Sequence, residues 1–202
     1  MRPESGAAGL LLALACVGLA LLPEEVSAAL AFEREALLAG QWWRLWSGHL
    51  VHFGLQHALA NAVTLWACAA FLGRQAGALL LPAALLLAAP LISLFLLLAA
   101  PGMQEYRGAS ALVTMLAGAA AIVLCADPRW RPAVLACAGA FGLWTLAQAL
   151  GGGATLAGLP AAVDAAWQAH LAGAFCALPL GLRLAQKQDH HRIEYQTSRH
   201  ES

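Results

Sequence analysis

The stretch GALLLPAALLLAAPLISLFLLLAA, Gly77 to Ala100, holds no charged residue and one hydroxyl, Ser93. A helix of that length exceeds the about 20 residues needed to cross the hydrocarbon core of a bilayer. Working outward, the same texture recurs in Ala7 to Leu22, His57 to Leu72, Ser110 to Leu124, Pro132 to Leu150 and Ala161 to Leu184. Polar or Gly/Pro punctuation separates the runs. The chain of 202 residues is 61% hydrophobic and 11% charged, against about 25% charged in soluble domains. Too few charges remain to cover a water-soluble surface. The expectation is an all-α membrane protein with six transmembrane helices, residues 1–185 forming the bundle and 186–202 a polar, disordered cytoplasmic tail.

Several runs fall short of a full crossing, so their helices must borrow flanking residues or begin below the membrane surface. The Ser110 run is the shortest, which points to a sunken start. Arg2, the first apolar run and Ser27-Ala28-Ala29-Leu30-Ala31 also resemble a cleavable signal peptide. Retaining that run gives six spans with both termini cytoplasmic. Arg2, Arg74, Arg129, Arg131, Arg183, Lys187, Arg192 and Arg199 then lie inside, and Arg34, Arg44 and Arg107 outside, as the positive-inside rule favours. The loop from Pro23 to Gln56 carries Trp42, Trp43, Trp46 and Phe53 among Arg44, His49 and His52. It reads as an aromatic-anchored segment lying in the headgroup region. Pro128 and Pro132 mark a tight turn, and Gly151-Gly152-Gly153 ends the fifth helix.

The formal net charge is zero, which leaves no electrostatic footprint for nucleic acid. Cys16, Cys68, Cys125, Cys137 and Cys176 all sit in apolar runs without metal-ligand spacing, and read as packing residues. The His190-His191 pair is too sparse for a metal site. No metal or organic cofactor is expected.

Three helices carry polar groups at helical spacing. His57, Asn61, Thr64 and Cys68 share one face of the second, and Ser110, Thr114, Gly118, Ala121 and Cys125 one face of the fourth. In the sixth, Ala169, Gly173, Ala177 and Gly181 make a row of small residues, with His170 on its edge. Such rows let helix backbones approach closely. Gly173 is therefore expected to draw the sixth helix onto the fourth, and Gly108 and Gly118 to support the same packing. Ser110 and His170 would then be a nucleophile and its general base. Ser110 opens a helix, where free N–H groups favour a developing oxyanion, and His57 and Asn61 add side-chain donors. Asp164 is assigned to the outer face and no other Asp or Glu accompanies the pair, so the reading is a Ser/His dyad. The bland alternatives are an interhelical hydrogen bond for His170 and an N-cap for Ser110.

In order along the chain, Trp43-Arg44, the segment His52 to Asn61 with its His-xxx-Asn, Gly108-Ala109-Ser110 and Ala169-His170-Leu171-Ala172-Gly173 resemble the rhomboid family of intramembrane serine proteases. The resemblance implies a six-helix rhomboid-like bundle and a Ser110/His170 dyad with oxyanion support from His57 and Asn61. It further implies membrane-protein substrates cleaved near the outer face, in a bacterial inner membrane. Tyr106-x-Gly108-x-Ser110 is similar to the rhombosortase branch, associated with surface proteins bearing a C-terminal Gly-Gly signal. Two positions depart from the family pattern: Ala111 stands where Gly-x-Ser-Gly has its last glycine, and Thr114 where many members place an aromatic against the histidine. The alternative is a catalytically inactive rhomboid-like protein that binds transmembrane helices. A transporter is disfavoured by the lack of intramembrane charges and of an inverted repeat.

Overall fold

The computed structural model describes residues 4–76, 79–151 and 166–200. Along the chain these residues form α1 (Glu4–Leu19), α2 (Glu24–Leu30), β1 (Phe32–Glu33), α3 (Arg34–Leu38), α4 (Arg44–Ser47), α5 (Leu55–Gly73), α6 (Leu80–Ala99), β2 (Glu105–Tyr106), α7 (Ser110–Cys125), α8 (Arg131–Ala149) and α9 (Trp167–His200). Each of the six apolar runs overlaps one long helix, α1, α5, α6, α7, α8 or α9. Among the described residues α5, α6 and α8 are long and apolar enough to cross a membrane, while Ala7–Leu19 of α1 and all of α7 are shorter apolar helices.

Burial sorts the helices into a centre and a periphery. α7 buries Ala111, Leu112, Met115, Leu116, Ala119, Ala120 and Val123, positions that together cover about half of its circumference. Its main partner is α9, with α5 on another side; α1 packs on α5, and α6 also meets α9. α8 is the reverse case. Thr145 is its one buried residue, and Leu135, Leu143 and Leu146 are exposed. An apolar exterior is what lipid requires, because every backbone polar group is already satisfied within the helix.

Small residues set the spacing of the central pair. A Cβ built on Gly173 would collide with the backbone carbonyl oxygen of Ala111. One on Gly118 would lie 2.8 Å from the Ala177 Cβ, and one on Gly181 2.7 Å from Ile122 Cδ1 and 3.1 Å from Ala119 Cα. The row Ala169, Gly173, Ala177 and Gly181 therefore faces α7, as the sequence led us to expect. Gly9 of α1 is similarly pressed against Ala69 of α5.

The aromatic loop is a folded cap: β1 pairs antiparallel with β2, Phe32 opposite Tyr106 and Glu33 opposite Glu105. Phe32, Leu37, His49 and Val51 are fully buried beneath it, while Trp42, Trp43 and Trp46 remain exposed. α9 does not stop near Leu184. It continues as helix through the polar segment to His200, where the tail 186–202 was expected to be disordered. Gln, Lys, Arg and Glu in that segment are good helix formers, and Lys187 Nζ donates to the Gln75 carbonyl at 3.0 Å. The expected start of the sixth helix at Ala161 falls in 152–165, outside the described residues. All five cysteines are free.

Arg34 holds the cap to the bundle. Its Nη1 donates to Leu97 O at 2.8 Å, its Nη2 to Leu96 O at 3.0 Å and Ala100 O at 2.8 Å, and its Nε to Met103 O at 3.1 Å. These carbonyls lie at and just beyond the C-terminus of α6, where intrahelical donors run out. Arg34→Ala is expected to lower stability in detergent by about 1.5–3 kcal/mol, the range for hydrogen bonds to a charged group. Arg34→Lys should recover only part, because one ammonium cannot span four carbonyls in the guanidinium's fork geometry. Thermal unfolding of the three proteins measures this; equal midpoints would refute the capping role.

Candidate active site

The segment between β2 and α7 is shaped by one glycine and a set of buried histidines. Gly108 has φ +135, a conformation that a side chain opposes. A Cβ there would also lie 2.9 Å from Cε1 and 3.2 Å from Nε2 of His57. Gly108 thus works through loop geometry beside His57 and not through helix packing, the role the sequence suggested. Its N–H donates to Gly48 O at 3.0 Å, and its carbonyl accepts from the Tyr106 hydroxyl at 2.6 Å. Gly48 is itself constrained, since a Cβ there would sit 2.7 Å from the Phe32 N.

His52 and His49 complete this support from the cap. The Ala109 N–H donates to His52 Nε2 at 3.2 Å, and His52 Nδ1 lies 3.1 Å from Leu50 O. One nitrogen accepts and the other donates, which requires the neutral imidazole. Burial, with a smaller contribution from His57 nearby, pushes the His52 pKa down to about 3. His49 Nε2 lies 3.0 Å from Ala89 O and 3.1 Å from Ser93 Oγ, and Ser93 Oγ donates to Leu45 O at 2.9 Å. Burial takes His49 down to about 4. Arg107 pins the same segment from outside, its Nη2 2.7 Å from Glu24 Oε1 and its Nε 2.5 Å from Glu105 Oε1. Its guanidinium also lies 5.1 Å from the Phe53 ring centroid.

Ser110 emerges from this platform at the first position of α7. His170 lies in the first turn of α9, its N–H donating to Ala166 O at 3.2 Å. Its Nε2 is 3.2 Å from Ser110 Oγ, within the reach needed for a base to take a hydroxyl proton. His170 Nδ1 is buried and has no hydrogen-bond partner among the described residues. Against the ring stand Trp144, with centroids 5.3 Å apart and planes at 34°, and Phe141 edge-on at 6.1 Å. Thr114 Oγ1 donates to Ser110 O at 2.8 Å.

On the other side of the loop, α5 presents His57 and Asn61 from successive turns, both buried. Phe53 stacks on His57 with centroids 6.5 Å apart and planes at 6°. His57 Nδ1 and Asn61 Nδ2 have no hydrogen-bond partner among the described residues. Of the sequence-derived set, Ser110 and His170 therefore meet, and His57 and Asn61 flank Gly108. Thr64 turns to Ala60 O in its own helix. His49, Trp144 and Phe141 escaped the sequence reading, because nothing in local spacing says that a loop histidine is buried or which helix faces His170. Among the described residues there is no cluster of three metal-ligating side chains.

The structure is a bundle of apolar helices that brings a serine and a histidine into contact from neighbouring helices. The family model described as the rhomboid domain matches residues 39–187, and the chain belongs to the rhomboid family. Members are in general serine proteases that act on membrane proteins within the bilayer, and this chain is an integral membrane protein. No curated protein matches the chain.

The neutral histidines carry a pH signature. Both folded values lie below the ordinary 6.5, so the unfolded chain binds more protons on acidification. Their contribution is complete above 6.5 and is lost as pH falls toward about 4 for His49 and about 3 for His52. Glu24, held below 4.5 by its hydrogen bond to Arg107, responds only at lower pH. The thermal midpoint in detergent should therefore fall between about pH 7 and about pH 5, before carboxylates titrate. A flat midpoint over that interval would contradict the buried neutral assignment.

Proposed function

We propose that the protein is an intramembrane serine endopeptidase in which Ser110 attacks the scissile carbonyl and His170 is the general base. The single observation carrying this reading is the 3.2 Å approach of His170 Nε2 to Ser110 Oγ. The proton of the hydroxyl passes to Nε2 as Oγ bonds to the carbonyl carbon. His170 then returns it to the leaving amine, and an acyl-enzyme remains. Water repeats the cycle and frees Ser110. The oxyanion is stabilised by the Ser110 N–H at the start of α7 and by the side-chain donors of His57 and Asn61, a role supported by the lack of a hydrogen-bond partner for His57 Nδ1 and Asn61 Nδ2 among the described residues. No metal or organic cofactor enters the scheme.

In this reading the six long helices all span the membrane, both termini are cytoplasmic, and the membrane is a bacterial inner membrane. Ser110 and the cap built on Arg34, His49 and Arg107 then lie toward the outer side, consistent with the positive-inside count. A substrate helix must unwind before its carbonyl can be attacked, and glycine lowers that cost. The Tyr106-x-Gly108-x-Ser110 run supports rhombosortase-like processing of proteins whose C-terminal apolar helix follows a Gly-Gly pair.

The test uses a membrane-anchored reporter carrying such a Gly-Gly signal, with the full chain in proteoliposomes. Wild type should cleave it, and Ser110→Ala and His170→Ala should be inactive while unfolding at the wild-type temperature. Asn61→Ala should lower kcat by up to about 100- to 1,000-fold with KM little changed, as for a donor engaged in the transition state. Cleavage by Ser110→Ala or His170→Ala at the wild-type rate would rule out the dyad. A folded wild type that neither cleaves nor reacts with a serine-directed phosphonate would assign the protein to helix binding.

A further inference from the structure

Among the described residues, His170 has none of the polar partners that usually hold a catalytic imidazole. In hydrolases with a triad, a carboxylate on the far nitrogen fixes the ring and stabilises the imidazolium. Here Nδ1 is buried with no hydrogen-bond partner among the described residues. No salt bridge of the described residues involves an acidic group near His170. From α7, Thr114 is turned back to the Ser110 carbonyl at 2.8 Å, so it does not grip the ring. What does contact the ring is α8: Trp144 tilted over it at 5.3 Å and 34°, and Phe141 edge-on at 6.1 Å. Phe141 and Trp144 are themselves in contact, with centroids 5.7 Å apart. Trp144 is half-buried on a helix where Leu143 and Leu146 are exposed.

We infer that Trp144 is the positioning residue for His170: its indole holds the imidazole in line with Ser110 and stabilises the imidazolium formed on proton transfer. The inference rests on the Ser110/His170 reading and adds to it a role for the least embedded helix. Two physical terms act in sequence. In the resting state an offset aromatic contact limits rotation of the ring, replacing the restraint that a hydrogen bond at Nδ1 would supply. When the Ser110 proton reaches Nε2 the ring becomes cationic, and the negative face of the indole attracts it. Trp is the strongest aromatic for that purpose. The second term exists only in the charged state, so it lowers the barrier and leaves substrate binding alone.

The experiment compares Trp144→Phe, Trp144→Leu and Trp144→Ala with wild type and Ser110→Ala, as full chains in proteoliposomes. Reporter cleavage gives kcat and KM, a fluorophosphonate gives the rate of serine labelling, and thermal midpoints track folding. Trp144→Ala should lose about 10-fold in kcat and in labelling rate with KM within about twofold of wild type. Trp144→Phe should restore most of the loss, and Trp144→Leu, which returns apolar volume without a π face, should not. Leu restoring as well as Phe would overturn the inference, since volume alone would suffice. So would wild-type kcat in Trp144→Ala. Failure of the underlying dyad reads out separately, as cleavage or labelling that survives in Ser110→Ala.

Discussion

The contact between Gly173 and the carbonyl of Ala111 is the constraint on which the site depends. A side chain at Gly173 would occupy the space of that backbone oxygen, so α9 and α7 meet backbone to backbone at this level. His170 lies one turn before Gly173 on α9, and Ser110 directly precedes Ala111 on α7. The separation of the two helices at this point therefore sets the distance between the His170 and Ser110 side chains. In lipid no hydrophobic force distinguishes helix–helix from helix–lipid contact, and close packing of small residues is a main source of association. The same glycine thus serves cohesion and the 3.2 Å approach of His170 to Ser110.

Ser110 is held from the opposite direction by groups that do no chemistry. Arg34 ties the cap to the end of α6, and the paired strands β1 and β2 carry Tyr106 to Gly108. His52 accepts from Ala109, the residue before Ser110. A rigid loop of this kind keeps N–H groups oriented before charge develops, which is where preorganised donors are most effective. It depends on His52 staying neutral, since a protonated ring has no lone pair for Ala109.

The helical architecture was legible because a run such as Gly77 to Ala100 admits one structure in lipid. The Ser110–His170 pairing was legible too, through the glycine and alanine spacing on α9. Gly173 and Gly181 do face α7 as that periodicity requires. The cap was not legible. His49, His52 and Phe53 look from sequence like an interfacial belt, and only tertiary contact shows His49 fully buried against Ser93. Gly108 was misassigned for a related reason: a positive φ beside His57 leaves no trace in spacing. Trp144 was invisible because apolar residues stand on every face of α8, so periodicity cannot single out the side turned to His170. The polar end of α9 was judged by composition, whereas its residues are individually good helix formers and Lys187 anchors it to Gln75.

The central claim is that the α7–α9 approach at Gly173 creates the catalytic geometry, and paired valine substitutions test it most directly. Gly173→Val and Gly181→Val both crowd α7, the first at Ala111 beside Ser110 and the second at Ala119 and Ile122 further along. Both should lower the thermal midpoint in detergent. Serine labelling by a fluorophosphonate, measured on the folded fraction, should vanish in Gly173→Val and persist in Gly181→Val. Full labelling of Gly173→Val would contradict the account, because the base would then reach the nucleophile without this contact.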